Sequence, residues 1–183
     1  MDGDPIAIRD VCDGDRGWLR ELIEAKWGLP VVSVSGAYDP SVLPALVAYH
    51  DGRTVGALTY RLAPGECEVV TLNSLQEGCG VGSALLQEAR RIASRRGLRL
   101  WLITTNENLP AIRFYQRRGM DLWALHRDFA EVVRRHKPLV YDDTEGIPFR
   151  HALEFSYQPA THDAAEPGQR TSTWARNSSR QKS

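Results

Sequence analysis

The segment Glu77-Gly78-Cys79-Gly80-Val81-Gly82 runs straight into Ser83-Ala84-Leu85-Leu86, so three alternate glycines stand at the start of an apolar-striped stretch. Glycine lacks a Cβ, and a backbone built from it bends sharply and comes close to a ligand. The first amides of a helix have no intrahelical partner, and the helix dipole adds partial positive charge at that end. Residues of these types at this spacing make a backbone cradle for an anion, most often a phosphate. Two familiar phosphate loops do not fit. A dinucleotide fingerprint needs a further glycine where this chain has Ser83 or Leu85, depending on the frame, and a mononucleotide loop needs a lysine that does not follow here. Cys79 sits where a thiol pKa can fall, yet it reads as a loop filler whose backbone matters. The five histidines and three cysteines show no ligand spacing, so no metal is expected.

The elements around the loop follow from periodicity. Val81, Leu85, Ala89 and Ile92 share one helical face, and Gly97 stops that helix. Leu98 to Thr105 is an apolar, β-rich run suited to a central strand. Asn108 can cap a second helix with Pro110 in its first turn, ending at Gly119. Upstream, Ile6 to Arg9 reads as a strand and Trp18 to Trp27 as a helix closed by Gly28 and Pro30. Leu46 to Tyr49, Thr54 to Tyr60 and Cys67 to Leu72 form an antiparallel meander, turned at Asp51-Gly52 and Pro64-Gly65. Val31 to Pro40 has no clear period. Downstream come a strand at Leu122 to His126, a helix at Asp128 to His136 stopped by Pro138, and a strand at Ala152 to Tyr157. The order implies one α/β domain over residues 1–158, with a mixed, mostly antiparallel twisted sheet and helices on both faces. Residues 159–183 are polar, with Trp174 the one large apolar group, and are expected to be a disordered tail.

Composition narrows the class. The 183 residues carry 23 basic and 23 acidic side chains, with the acidic ones gathered before the glycine loop and the basic ones after it. Such asymmetry suits a cationic ligand on one side and an anionic one on the other, and equally suits two solvated surfaces. No apolar run approaches the ~20 residues that span a bilayer. The N-terminal residues hold no apolar leader, and the cysteines read as reduced thiols. A cytoplasmic protein without membrane or nucleic-acid partners is the expectation.

The loop and the later segment Asn108-Leu109-Pro110-Ala111-Ile112-Arg113-Phe114-Tyr115-Gln116-Arg117-Arg118-Gly119 together resemble the GNAT superfamily of N-acetyltransferases. That family has a [Q/R]-x-x-G-x-[G/A] loop around the pyrophosphate of acetyl-CoA, and a later N-x-x-A-x-x-x-Y-x-x-x-G segment whose tyrosine lies near the thioester sulfur. The second pattern is matched at every marked position. The resemblance is specific from about Leu72 to Met120 and looser from Ile6 to Val70. One departure stands out: Glu77 occupies the usual Gln or Arg position, and a carboxylate facing a pyrophosphate would be unfavourable.

The resemblance implies acetyl-CoA as co-substrate and direct transfer of its acetyl group to a primary amine in a ternary complex. It implies a grip on the phosphates by backbone amides at Gly78, Cys79, Gly80, Val81, Gly82, Ser83 and Ala84. It places an oxyanion donor among the backbone amides of Leu72 to Leu75, Ser74 included, with Asn108 and Ala111 on the other side of the pantetheine arm. Tyr115 is the implied acid for the leaving thiolate. Glu68, and less so Glu66, are candidate bases on the strand that feeds the loop. Arg113, Arg117 and Arg118 are candidates for the 3′-phosphate. The acceptor, a small amine or a peptide amine, should meet Trp18 to Tyr38 and Ile147 to Tyr157. Trp27, Tyr38, Asp39 and the Asp13/Asp15 pair are expected to form an acidic, aromatic rim, and Gly28 to Pro44 a mobile lid. A homodimer is in keeping with the family. A second function stays open: a non-catalytic module that binds acetyl-CoA as a sensor or docks a protein partner.

Overall fold

A computed structural model describes residues 5–76, 78–139 and 146–157. Glu77 and the expected C-terminal tail therefore lie outside the described residues. In chain order the elements are β1 (Ala7–Asp10), α1 (Arg16–Trp27), β2 (Val31–Ser33), β3 (Gly36–Tyr38), β4 (Ala45–His50), β5 (Arg53–Ala63) and β6 (Glu66–Ser74). Then come α2 (Val81–Arg95), β7 (Arg99–Thr105), α3 (Leu109–Arg117), β8 (Asp121–His126), α4 (Phe129–Arg134) and β9 (Ala152–Tyr157). The stretch without a clear period, Val31 to Pro40, is a short β2–β3 hairpin leading into a single 3-10 turn at Pro40–Val42.

Seven strands form one mixed, mostly antiparallel sheet in the order β1-β4-β5-β6-β7-β9-β8. The β4, β5 and β6 meander is antiparallel, β6 and β7 run parallel, and β9 inserts antiparallel between β7 and β8. The helix between β6 and β7 supplies the crossover that a parallel pair requires. Helices cover both faces. On one, Leu85, Leu86, Ala89 and Ala93 of α2 pack on Leu58, Tyr60, Leu100 and Phe155, with Ile112, Phe114 and Tyr115 of α3 beside them. On the other, Leu19 and Ile23 of α1 pack on Ala45, Ala57 and Val70, while Phe129 and Val133 of α4 pack on Phe149 and Ala152. α2 buries the face its period predicts, whereas α1 buries Leu19 and Ile23, with Trp18 and Leu22 half-buried and Ala25 exposed, at ~1.5–3 kcal/mol per large apolar side chain removed from water.

Two irregularities open the sheet. Thr59 pairs with Thr71 and Tyr60 with Val69, so Val70 is an extra residue in β6. A bulge of this kind bends its strand and leaves one residue unpaired. β6 also pairs with β7 at only three positions, the last being Glu68 with Trp101. Immediately before the bulge, then, the two parallel strands part, and a gap forms between them.

Candidate active site

A cavity of about 400 Å³ fills this opening. Val69, Val70, Leu72 and Asn73 of β6 form one wall, and Ile103, Thr104 and Thr105 of β7 the other. Asn108, Ala111 and Tyr115 close it on the α3 face of the sheet. Lys26, Trp27, Ser33 and Lys137 line it on the α1 face. The cavity is thus lined from both sides of the sheet.

Tyr115 is half-buried on α3, its ring against Phe114 and Phe155. Its hydroxyl finds no hydrogen-bond partner among the described residues, and burial pushes its pKa up to about 12. A phenol so placed keeps its proton and has it free to give. Asn108 caps α3: its Oδ1 accepts the Ala111 N–H at 3.2 Å. The cap and the cavity wall are one residue, because a side chain that turns back to a first-turn amide also stands at the helix mouth.

β6 leads into the glycine loop. Gly78 and Gly80 have φ of +75° and +83°, a left-handed backbone that a side chain would strain, so these two positions require glycine. Gly80 is the N-cap of α2, and no side chain caps this turn. The Ala84 N–H bonds to the Gly80 carbonyl at 3.0 Å. This corrects the extent of the expected cradle: Ala84 is already inside the helix ladder, and the free first-turn amides end at Ser83. Arg118 donates to the Ser83 hydroxyl through Nε at 2.7 Å and stacks on Phe114, which ties α3 to the start of α2. Arg113 and Arg117 stay exposed on the same helix.

The Leu72 to Leu75 stretch also narrows. The Leu75 N–H donates to the Val55 carbonyl at 2.8 Å, so it points into β5 and is not free for an oxyanion. Amide directions alternate along a strand, so those of Leu72 and Ser74 face the side where β7 has moved away. Leu72 lines the cavity; Ser74 and Leu75 lie beyond it, and the Ser74 hydroxyl donates to the Gln76 carbonyl at 2.8 Å.

The carboxylates part company. Glu66 is bound by Arg99 at 2.8 Å, at the closed end where β6 and β7 still pair, and does not line the cavity. Glu68 is 1 % exposed. It accepts hydrogen bonds from Ser33, Ser35 and, at 3.1 Å, Arg61 Nε, so the β2–β3 hairpin folds over it. Glu68 does not line the cavity itself; Ser33 stands between them. The serines escaped sequence reasoning because nothing local marks them: they sit 35 and 33 residues from the carboxylate they serve.

The acidic, aromatic rim is not assembled. Asp15 is taken by Arg9, Cys12 and Tyr49, and Asp39 caps the Pro40–Val42 turn and pairs with Arg20. Tyr38 donates to the Ser35 carbonyl at 2.8 Å. Of the expected rim only Trp27 reaches the cavity, while Trp18 packs in the α1 core. No described residue lining the cavity is a carboxylate, and Lys26 and Lys137 bring positive charge. No group of His, Cys, Asp and Glu among the described residues has the arrangement of a metal site. No described helix is long and apolar enough to cross a membrane.

The acetyltransferase (GNAT) family model matches residues 16–120, and the chain belongs to that family. It is 35% identical to YdhI of Bacillus subtilis over 142 residues, covering 75% of this chain and 89% of YdhI. It is 34% identical to YxbD of the same organism over 152 residues, covering 80% and 94%. Among solved structures, an Elizabethkingia anophelis GNAT family acetyltransferase with acetyl-CoA bound shares the fold with a TM-score of 0.63 at 16% identity, over 85% of this chain and 99% of that one. Arabidopsis thaliana Naa50, in complex with the bisubstrate analogue CoA-Ac-MVNAL, does so with a TM-score of 0.60 at 22% identity, over 84% and 98%.

Proposed function

We propose that the protein transfers the acetyl group of acetyl-CoA to a primary amine inside the gap between β6 and β7. The observation that carries this reading is the gap itself: a free phenol on one face, a carboxylate relay on the other, and the glycine loop at the end of β6. The family and its acetyl-CoA-bound fold relative support the choice of donor. The amides of Cys79 to Ser83 would hold the pyrophosphate, with the positive end of α2 behind them. Arg113 and Arg117 offer charge to the 3′-phosphate. The pantetheine arm would enter past Asn108 and Ala111.

In the transfer, the amine nitrogen adds to the thioester carbonyl carbon, forming the C–N bond and a tetrahedral oxyanion, which then collapses as the C–S bond breaks and the thiolate leaves. The Leu72 amide would stabilise the oxyanion. The amine's proton leaves to the Ser33 hydroxyl as Ser33 passes its own to Glu68, and Tyr115 gives its proton to the departing sulfur. Glu68 therefore remains the candidate base, acting through Ser33.

Plugging the gap tests the location. Ala111→Trp should abolish acetyl-CoA binding in calorimetry while the circular dichroism spectrum is retained; unchanged affinity would place the ligand elsewhere. A thiol-release screen with polyamines, aminoglycosides, amino acids and peptide N-termini tests the chemistry. Binding of acetyl-CoA with no thiol release from any amine would favour the sensor module instead.

A further inference from the structure

The α1 side of the gap is built from hydrogen-bond donors. Asn73 is 8 % exposed, and its Oδ1 accepts the Trp27 indole N–H at 2.8 Å. An indole is a donor only, so this bond fixes which way the amide points. Asn73 lines the cavity, and its buried Nδ2 has no partner among the described residues. Lys137 donates to the carbonyls of Trp27 at 2.6 Å and Gly28 at 3.2 Å, at the C-terminal end of α1. An ammonium has three N–H groups, so one is left over. Neither Lys137 nor Lys26 has a carboxylate partner among the described residues, and none lines the cavity. Burial also pulls the Lys137 pKa down, as expected of a cation without a counter-ion. Around these donors the wall is apolar: Val32, Ile103, Phe129 and Phe149.

A cluster of unspent donors with no carboxylate among the described lining residues is complementary to an anion more than to a bare amine. We infer that the acceptor carries a carboxylate beside its amine, held by Asn73 Nδ2 with Lys137 and Lys26, and an apolar side chain against Phe129 and Phe149. The substrate class is then the free apolar α-amino acid. Polyamines, whose further charges are positive, would meet two lysines and are disfavoured. This inference rests on the gap being the transfer site.

The test uses matched acceptors: L-leucine, L-leucinamide and isoamylamine, with the corresponding phenylalanine set and the dipeptide Leu-Gly. The amino acids should exceed their amides and decarboxylated amines in kcat/KM by about 30-fold, the size of one or two hydrogen bonds to a charged group. Leu-Gly, whose carboxylate is displaced, should resemble the amide. Asn73→Asp and Lys26→Gln should raise KM for the amino acid and leave KM for acetyl-CoA unchanged; Lys26 is exposed, so its variant folds even if Asn73→Asp does not. Equal use of all three acceptors would overturn the inference while leaving the transferase reading intact. Calorimetry of each acceptor with the CoA-loaded protein separates the two. Carboxylate-dependent binding without turnover keeps the anion site and removes the transferase reading, and no preference in either assay removes the anion site.

Discussion

Tyr115 and Glu68 are set apart by the sheet, one on the α3 side and one under the β2–β3 hairpin. The phenol is held at about 12 against an ordinary 10.0 because burial disfavours its anion. It keeps its proton through neutral and mildly alkaline pH, the state an acid needs. Tyr115→Phe should therefore lower kcat by about 10²-fold, at the low end for a lost acid, with acetyl-CoA affinity nearly unchanged. For the same reason kcat of the wild type should show no falling limb from this group below about pH 10. Glu68→Gln should also lower kcat without altering acetyl-CoA affinity, and Ser33→Ala should do the same if the proton travels through the hydroxyl. An unchanged kcat in both variants would show the amine losing its proton to solvent. The Asn108 to Gly119 pattern made Tyr115 legible, since a helix cap and its helix are written in twelve consecutive residues. The link from Ser33 and Ser35 to Glu68 was not legible, because hairpin and strand meet only in the folded chain.

At the scale of elements, the site depends on where β6 stops pairing. The bulge at Val70 bends β6 as β7 leaves it, and the gap results. No residue type announces this, because a bulge is a matter of register between distant strands. The meander itself was plain, as Asp51-Gly52 and Pro64-Gly65 punctuate it, but the β2–β3 hairpin, with three residues per strand, is too short to show a period. The closeness of α2 to the sheet was equally hidden. A Cβ on Gly56 would lie 2.6 Å from both the Asn73 carbonyl oxygen and Val81 Cγ1. The oxygen belongs to a backbone that cannot swing aside, so Gly56→Ala should cost about 1–3 kcal/mol, read from the urea midpoint. Because Asn73 lines the gap, the same variant should disturb the site; a fully stable and active Gly56→Ala would contradict this packing.

The described residues form α/β/α layers with an opening through the sheet. The sheet's outermost pair is anchored by the Arg9, Asp15 and Tyr49 cluster, which joins β1, the start of α1 and β4. Hydrogen bonding to Arg9 holds the Asp15 carboxyl below its ordinary 3.8. The folded state then binds fewer protons than the unfolded one. The stabilisation is complete above the unfolded value and is lost as pH falls below it. Urea midpoints should drop on going below about pH 4, and Asp15→Asn should flatten that dependence. At this scale, the layer order and the family pattern were legible in the sequence, while the charge of the acceptor side was not: Lys137 reaches the Trp27 carbonyl, beside Lys26, across 110 residues of chain. The central claim is that acetyl transfer to an amine occurs in the gap between β6 and β7. It is tested most directly by mixing acetyl-CoA with L-leucine and the wild-type protein, and counting CoA thiol and N-acetyl product by mass spectrometry in one sample. Equal amounts of both, falling together in Tyr115→Phe, are the predicted result. Thiol without N-acetyl product, or equal yields in the variant, would contradict it.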